Sequence, residues 1–76
     1  VKLPVVSGAE AIRVFERIGY VRSRQRSSHV RLHHPHPADG QSPVLSVPDH
    51  REVRAGTLRG LIRDAGLTVE RFIELL

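Results

Sequence analysis

The 76 residues make one small domain, residues 1–76, in a size class that buries only about 60% of its unfolded surface. There is no cysteine, which excludes a disulfide framework and a thiolate zinc site as sources of stability. Twelve basic residues, eleven of them arginine, face eight acids for a net charge of +4, no apolar run approaches the roughly 20 residues of a membrane span, and no basic-then-apolar start suggests a signal peptide, so a soluble cytoplasmic protein is the expectation.

VKLPVV (1–6) reads as an extended lead-in. SGAE follows, a capping-box pattern in which Ser7 accepts from the third helical amide and Glu10 reaches back. Ala11, Ile12, Phe15 and Ile18 then recur at helical spacing, and Gly19 suits the left-handed residue that ends a helix. The first helix is expected over about 8–18. YVRSRQ (20–25), with Val21 between polar neighbours, suits a strand, and RSS a turn that includes Arg26. HVRLHH (29–34) alternates: Val30, Leu32 and His34 point one way, His29, Arg31 and His33 the other. Strict alternation in the preceding run puts Arg22 and Arg24 on one face. The two runs predict a hairpin with its apolar side on helices.

PHPADGQSP (35–43) is punctuated as a loop, and VLSV (44–47) predicts a third short strand stopped by Pro48. DHREVRAG (49–56) is a connector. GTLRGLIRDAG (56–66) predicts the second helix, with Leu58, Leu61, Ile62 and Ala65 buried, Thr57 as its cap and Gly66 ending it. TVERFIELL (68–76) predicts a short third helix capped by Thr68, marginal by itself. Phe72, Leu75 and Leu76 are candidates for an oligomer interface. The order is helix, three strands, helix, short helix. It predicts an α+β domain with an antiparallel sheet covered on one face.

The free face carries the unusual chemistry. From Arg17 to Ala38 there are five arginines, four histidines and no acid. Arginine's planar fork grips phosphate through parallel hydrogen bonds, so a one-sign stripe favours a polyanion, nucleic acid first; a solvated basic face fits the same charges. His29 is the candidate proton-transfer group, because imidazole titrates near neutrality. RNA supplies its own nucleophile, the ribose 2′-hydroxyl. A base for that proton, an acid for the leaving oxygen and cations for the phosphorane suffice without a metal. From the spacing alone, an exposed strand histidine that only binds phosphate or caps a turn is the preferred reading. Arg22, Arg24, Arg26 and Arg31 are phosphate-contact candidates, and Ser28 and Ser27 either orient His29, donate to phosphate, or simply make the turn.

HHPH (33–36) contains an H-x-H pair with Asp39 beyond it, but a closed zinc site wants four placed ligands, so no metal is expected. His50 is either a second proton-transfer group or a residue that stabilises the connector through a backbone hydrogen bond; the second reading is preferred. There is no Ser–His–Asp arrangement, P-loop or GxGxxG, and no cofactor chemistry.

Three stretches together resemble one family. KLPVVSGAEAIRVFERIGY is similar to the opening of HicA-type toxins, small mRNA interferases of bacterial toxin–antitoxin pairs. RQRSSH resembles that family's strand signature of a glycine, a serine and the catalytic histidine, and VPDHREVRAGTLRGLIRDAGL its second half. The resemblance covers nearly the whole chain. It implies a fold like the double-stranded-RNA-binding domain, ribonuclease activity on mRNA with His29 as the catalytic histidine, and inhibition by a cognate HicB-type antitoxin. Ser27 stands where the family usually has glycine, and serine is disfavoured there if the turn needs φ > 0. The HHPHPADGQSP loop looks like an ordinary place for variation. A non-catalytic RNA-binding module, or a domain whose basic face meets an acidic protein, would share the composition.

Overall fold

Ser7 starts α1 (Gly8–Arg17) with both halves of the capping box: the Glu10 amide donates to Ser7 Oγ at 3.1 Å, and the Ser7 amide donates to Glu10 Oε1 at 2.9 Å. That second bond, with help from the Ser7 hydroxyl and from Arg13, holds the Glu10 carboxyl below the usual glutamate range. Ala11, Ile12, Val14 and Phe15 form the buried stripe. Gly19, at φ +106°, closes the helix: its amide donates to Glu16 and the Tyr20 amide to Phe15. This is the double bond pattern of a left-handed C-terminal cap.

The computed structural model describes all 76 residues. After α1 come β1 (Val21–Arg26), β2 (His29–His33), β3 (Val44–Pro48), α2 (Ala55–Asp64) and α3 (Val69–Leu75). The sheet is antiparallel in the order β1-β2-β3. The expected α+β architecture, helix, three strands, helix and a short C-terminal helix, is the one observed. Val30 and Leu32 of β2 and Leu45 and Val47 of β3 enter a core of 16 residues with the helices. Pro48 ends β3 as a member rather than a stop, paired with His29 at the sheet's end, where a missing donor is tolerated.

Three sequence expectations for β1 and its turn do not hold. Its apolar side does not rest on the helices: every residue of β1 is exposed, and Val21 pairs with His33 on the solvent face. Arg22 and Arg24 do not share a face either. Arg22 pairs with Leu32 but Arg24 with Arg31, leaving Ser23 as the extra residue of a β-bulge. The bulge reverses the alternation after Arg22. Arg22 therefore lies on the helix side, 3.7 Å from Glu16, while Arg24 and Arg26 turn to the open face. Arg26 belongs to the strand and pairs with His29, so the turn is only Ser27 and Ser28.

The second helix begins one residue earlier than expected, and Thr57 is inside its first turn rather than its cap. Arg54 is the N-cap and supplies no side-chain bond. The start is set instead by Val53, which is buried and whose amide donates to the Val6 carbonyl at 2.9 Å. Gly66, at φ +74°, ends α2 as Gly19 ends α1, and the Leu67 amide reaches Ile62 at 3.0 Å. Thr68 caps α3 by accepting from the Arg71 amide at 3.1 Å. Phe72 is not free to face a second copy: it is fully buried, 5.8 Å from the Phe15 ring.

Residues 34–43 are more constrained than a freely varying loop. The Tyr20 hydroxyl donates to the Ser42 carbonyl at 2.6 Å, and the Ser42 amide donates to Asp64 at 2.6 Å. Burial, with the Asp64 carboxylate adding to it, raises the Tyr20 phenol above its ordinary value, so it stays a donor at neutral pH. His34 Nε2 lies 2.9 Å from the Ile18 carbonyl, which can only accept, so Nε2 carries the proton. Nδ1 accepts from the His36 amide at 3.2 Å, and the ring meets Tyr20 edge-on at 4.8 Å. The His34→Ala variant loses both bonds and that packing. Its stability in urea denaturation is expected to fall by about 1–3 kcal/mol, and an unchanged midpoint contradicts this reading.

Candidate functional site

The open face is built as rows across the sheet. Arg26, His29 and Pro48 are paired neighbours, and so are Arg24, Arg31 and Ser46. Because partners in a row share a side, alternation in β2 and β3 and the bulge in β1 together bring these side chains to one surface. Arg24, Arg26, His29, Arg31 and Ser46 line a depression of about 310 Å³. Three guanidiniums and one imidazole meet there with no carboxylate. Such a concave, single-sign surface concentrates anions.

His29 is exposed and stands outside the core cluster. It also borders a second depression, of about 530 Å³, with Ser46, His50, Glu52, Arg54 and Thr57. The imidazole thus sits on the wall that both depressions share. Its backbone is held from two directions, by Arg26 across the hairpin and Pro48 across the other ladder. The turn before it is pinned as well: the Asp49 amide donates to the Ser28 carbonyl at 2.6 Å.

Ser27 adopts φ +56°, and no other non-glycine residue has a positive φ. A left-handed first residue in a two-residue hairpin loop is the type II′ pattern, which favours glycine. The sequence-based concern about serine at this position therefore applies. The Ser27→Gly variant relieves the Cβ strain but loosens the unfolded chain, for a net gain of about 0.5–1 kcal/mol. A higher urea midpoint at constant slope checks this, and a lower midpoint contradicts it.

Of the residues singled out from sequence, His29, Arg24, Arg26 and Arg31 come together. Arg22 does not; it lies on the other side of the sheet beside Glu16, in an exposed ion pair of the kind that adds little stability. Ser28 is half-buried and lines neither depression. Ser46 was missed, although the alternation of VLSV already places it opposite Leu45 and Val47. Glu52 and Arg54 had no local signal, because the irregular connector up to the α2 cap fixes no face, and Thr57 had been expected only as that cap. The H-x-H pair gathers no third ligand: no three His, Asp or Glu side chains converge, and both ring nitrogens of His34 are engaged.

No helix is long and apolar enough to cross a membrane. A search of curated proteins returned no match. Residues 8–67 match the family described as HicA toxin of bacterial toxin-antitoxin. The matched span runs from the first residue of α1 to the apolar residue that closes α2, and takes in the whole sheet and both depressions. With well over half of its length inside that span, the chain belongs to the HicA toxin family of bacterial toxin–antitoxin systems.

Proposed function

We propose that this chain is a metal-independent endoribonuclease that cleaves single-stranded mRNA in the cytoplasm, with His29 moving protons at the scissile phosphate. The observation that carries this reading is the placement of one exposed imidazole among Arg24, Arg26 and Arg31 in a single depression. The arginines hold the phosphate oxygens and offset charge on the phosphorane. His29 is then within the region where a ribose 2′-hydroxyl and its phosphate arrive together. The 2′-oxygen attacks phosphorus, the bond to the 5′-oxygen breaks, and the products are a 2′,3′-cyclic phosphate and a 5′-hydroxyl. Arg22 and Ser28 stand outside the depression and receive no role at the scissile bond. A cognate HicB-type antitoxin is the partner that family membership supports, and covering the cationic face is the way it would block the reaction.

Incubation of the purified protein with a labelled single-stranded RNA in the presence of EDTA tests the reading. Discrete shorter products are expected. Intact RNA after long incubation, with binding that weakens steeply as salt rises, would instead identify a non-catalytic RNA-binding module of the same fold.

A further inference from the structure

In-line displacement puts the attacking and leaving oxygens on opposite sides of phosphorus. A base beside one oxygen is poorly placed to protonate the other, so the geometry asks for a second proton-transfer group across from His29. The second depression holds one. His50 lines it together with His29 and Ser46, and its side chain is exposed.

The main chain that presents His50 is fixed on both sides. The Asp49 amide donates to Ser28 at 2.6 Å, the Gly8 amide donates to the His50 carbonyl at 2.9 Å, and the Val53 amide donates to Val6 at 2.9 Å. Gly8 permits this approach, since a Cβ there would run into the Pro48 carbonyl oxygen. The structural work of His50 is therefore done by its carbonyl, and its ring is left for the depression. The expectation of a backbone role and that of a proton-transfer role fall on different atoms of one residue.

We infer that His50 is the general acid that protonates the leaving 5′-oxygen, while His29 takes the proton from the 2′-hydroxyl. This rests on the ribonuclease reading above. The two rings differ in which depressions they line. His29 shares its first depression with Arg24, Arg26 and Arg31. Both rings line the second depression, with Ser46, Glu52, Arg54 and Thr57. His29 alone of the two lines the depression that holds the phosphate-gripping arginines, so it is the ring given the 2′-hydroxyl, and His50 is the one left for the leaving oxygen. In the step itself the 2′-hydroxyl proton passes to His29, the O2′–P bond forms, the P–O5′ bond breaks, and O5′ receives the proton of His50. One proton is taken up and one released; solvent resets both rings.

The test compares single-turnover cleavage of two RNAs by the parent, His29→Gln and His50→Gln. One RNA is ordinary; the other has sulfur in place of the bridging 5′-oxygen at the cleavage site, and a thiolate departs without a proton. On ordinary RNA, His50→Gln is expected to be slower by about 10²- to 10⁴-fold and to lose the alkaline limb of the pH–rate profile. On the sulfur-bridged RNA it is expected to cleave close to the parental rate, while His29→Gln stays slow. Equal slowing of His50→Gln on both substrates, or parental cleavage of ordinary RNA by it, overturns the inference while leaving the ribonuclease reading intact if His29→Gln remains impaired. Failure of the parent to cleave either RNA removes both.

Discussion

Replacing His29 by Gln is expected to slow cleavage of a defined RNA by about 10²- to 10⁴-fold with no change in unfolding midpoint. Glutamine keeps a polar side chain of similar reach but can neither take up nor release a proton near neutral pH. The substitution spares the fold because the ring is exposed and lies outside the core. It spares RNA affinity for a related reason: Arg24, Arg26 and Arg31 remain to hold phosphate. Rate and affinity therefore separate, and single-turnover kinetics beside a filter-binding titration reads both. Cleavage by His29→Gln at the parental rate would remove the catalytic assignment.

Phe72→Ala should be the most damaging change to stability, with a loss of about 3–5 kcal/mol. Small domains have roughly 5–15 kcal/mol in total, and one of this size lies toward the lower end, so the variant should be largely unfolded at 37 °C. The reason lies in α3. Seven residues cannot sustain a helix in water, and its Thr68 cap satisfies only one of the free amides. What chiefly keeps α3 in place is the Phe72 ring, fully buried against Phe15, with Val69 and Leu75 packed beside it. Without it the helix detaches and Phe15 loses its cover. α3 lies beyond residue 67, where the family match ends, yet it supplies Phe72 to the core. Urea denaturation followed by far-UV circular dichroism measures the effect, and a loss under about 1 kcal/mol would show that α3 is only an appendage.

The features legible in the sequence are those with local causes. The capping box at Ser7 and Glu10, the glycines that end α1 and α2, and the period-two alternation of β2 depend on neighbours within a few residues. The strain at Ser27 was readable only through the resemblance to a family that usually has glycine there, since the turn itself is expected from sequence to include Arg26. The bulge at Ser23 was not. An extra residue in one strand is decided by pairing with the other, and a one-residue slip moves every later side chain to the opposite face. That slip removes Arg22 from the site and delivers Arg24 and Arg26 to it. His34 escaped for a similar reason: its partners are the Ile18 carbonyl and the Tyr20 ring, which only the folded chain brings near. The depression shared by His29 and His50 depends on the connector after β3, whose path is set by amides bonding to Ser28, Val6 and the His50 carbonyl, and no periodicity encodes such a path.

The central claim is that an exposed imidazole in a cationic depression cleaves RNA through its own 2′-hydroxyl. Chemical analysis of the product ends, after digestion of a defined RNA by the purified protein in EDTA, addresses it most directly. The account predicts a 2′,3′-cyclic phosphate on the upstream fragment and a 5′-hydroxyl on the downstream one. Fragments ending in a 3′-hydroxyl and a 5′-phosphate, or RNA left intact, would contradict it.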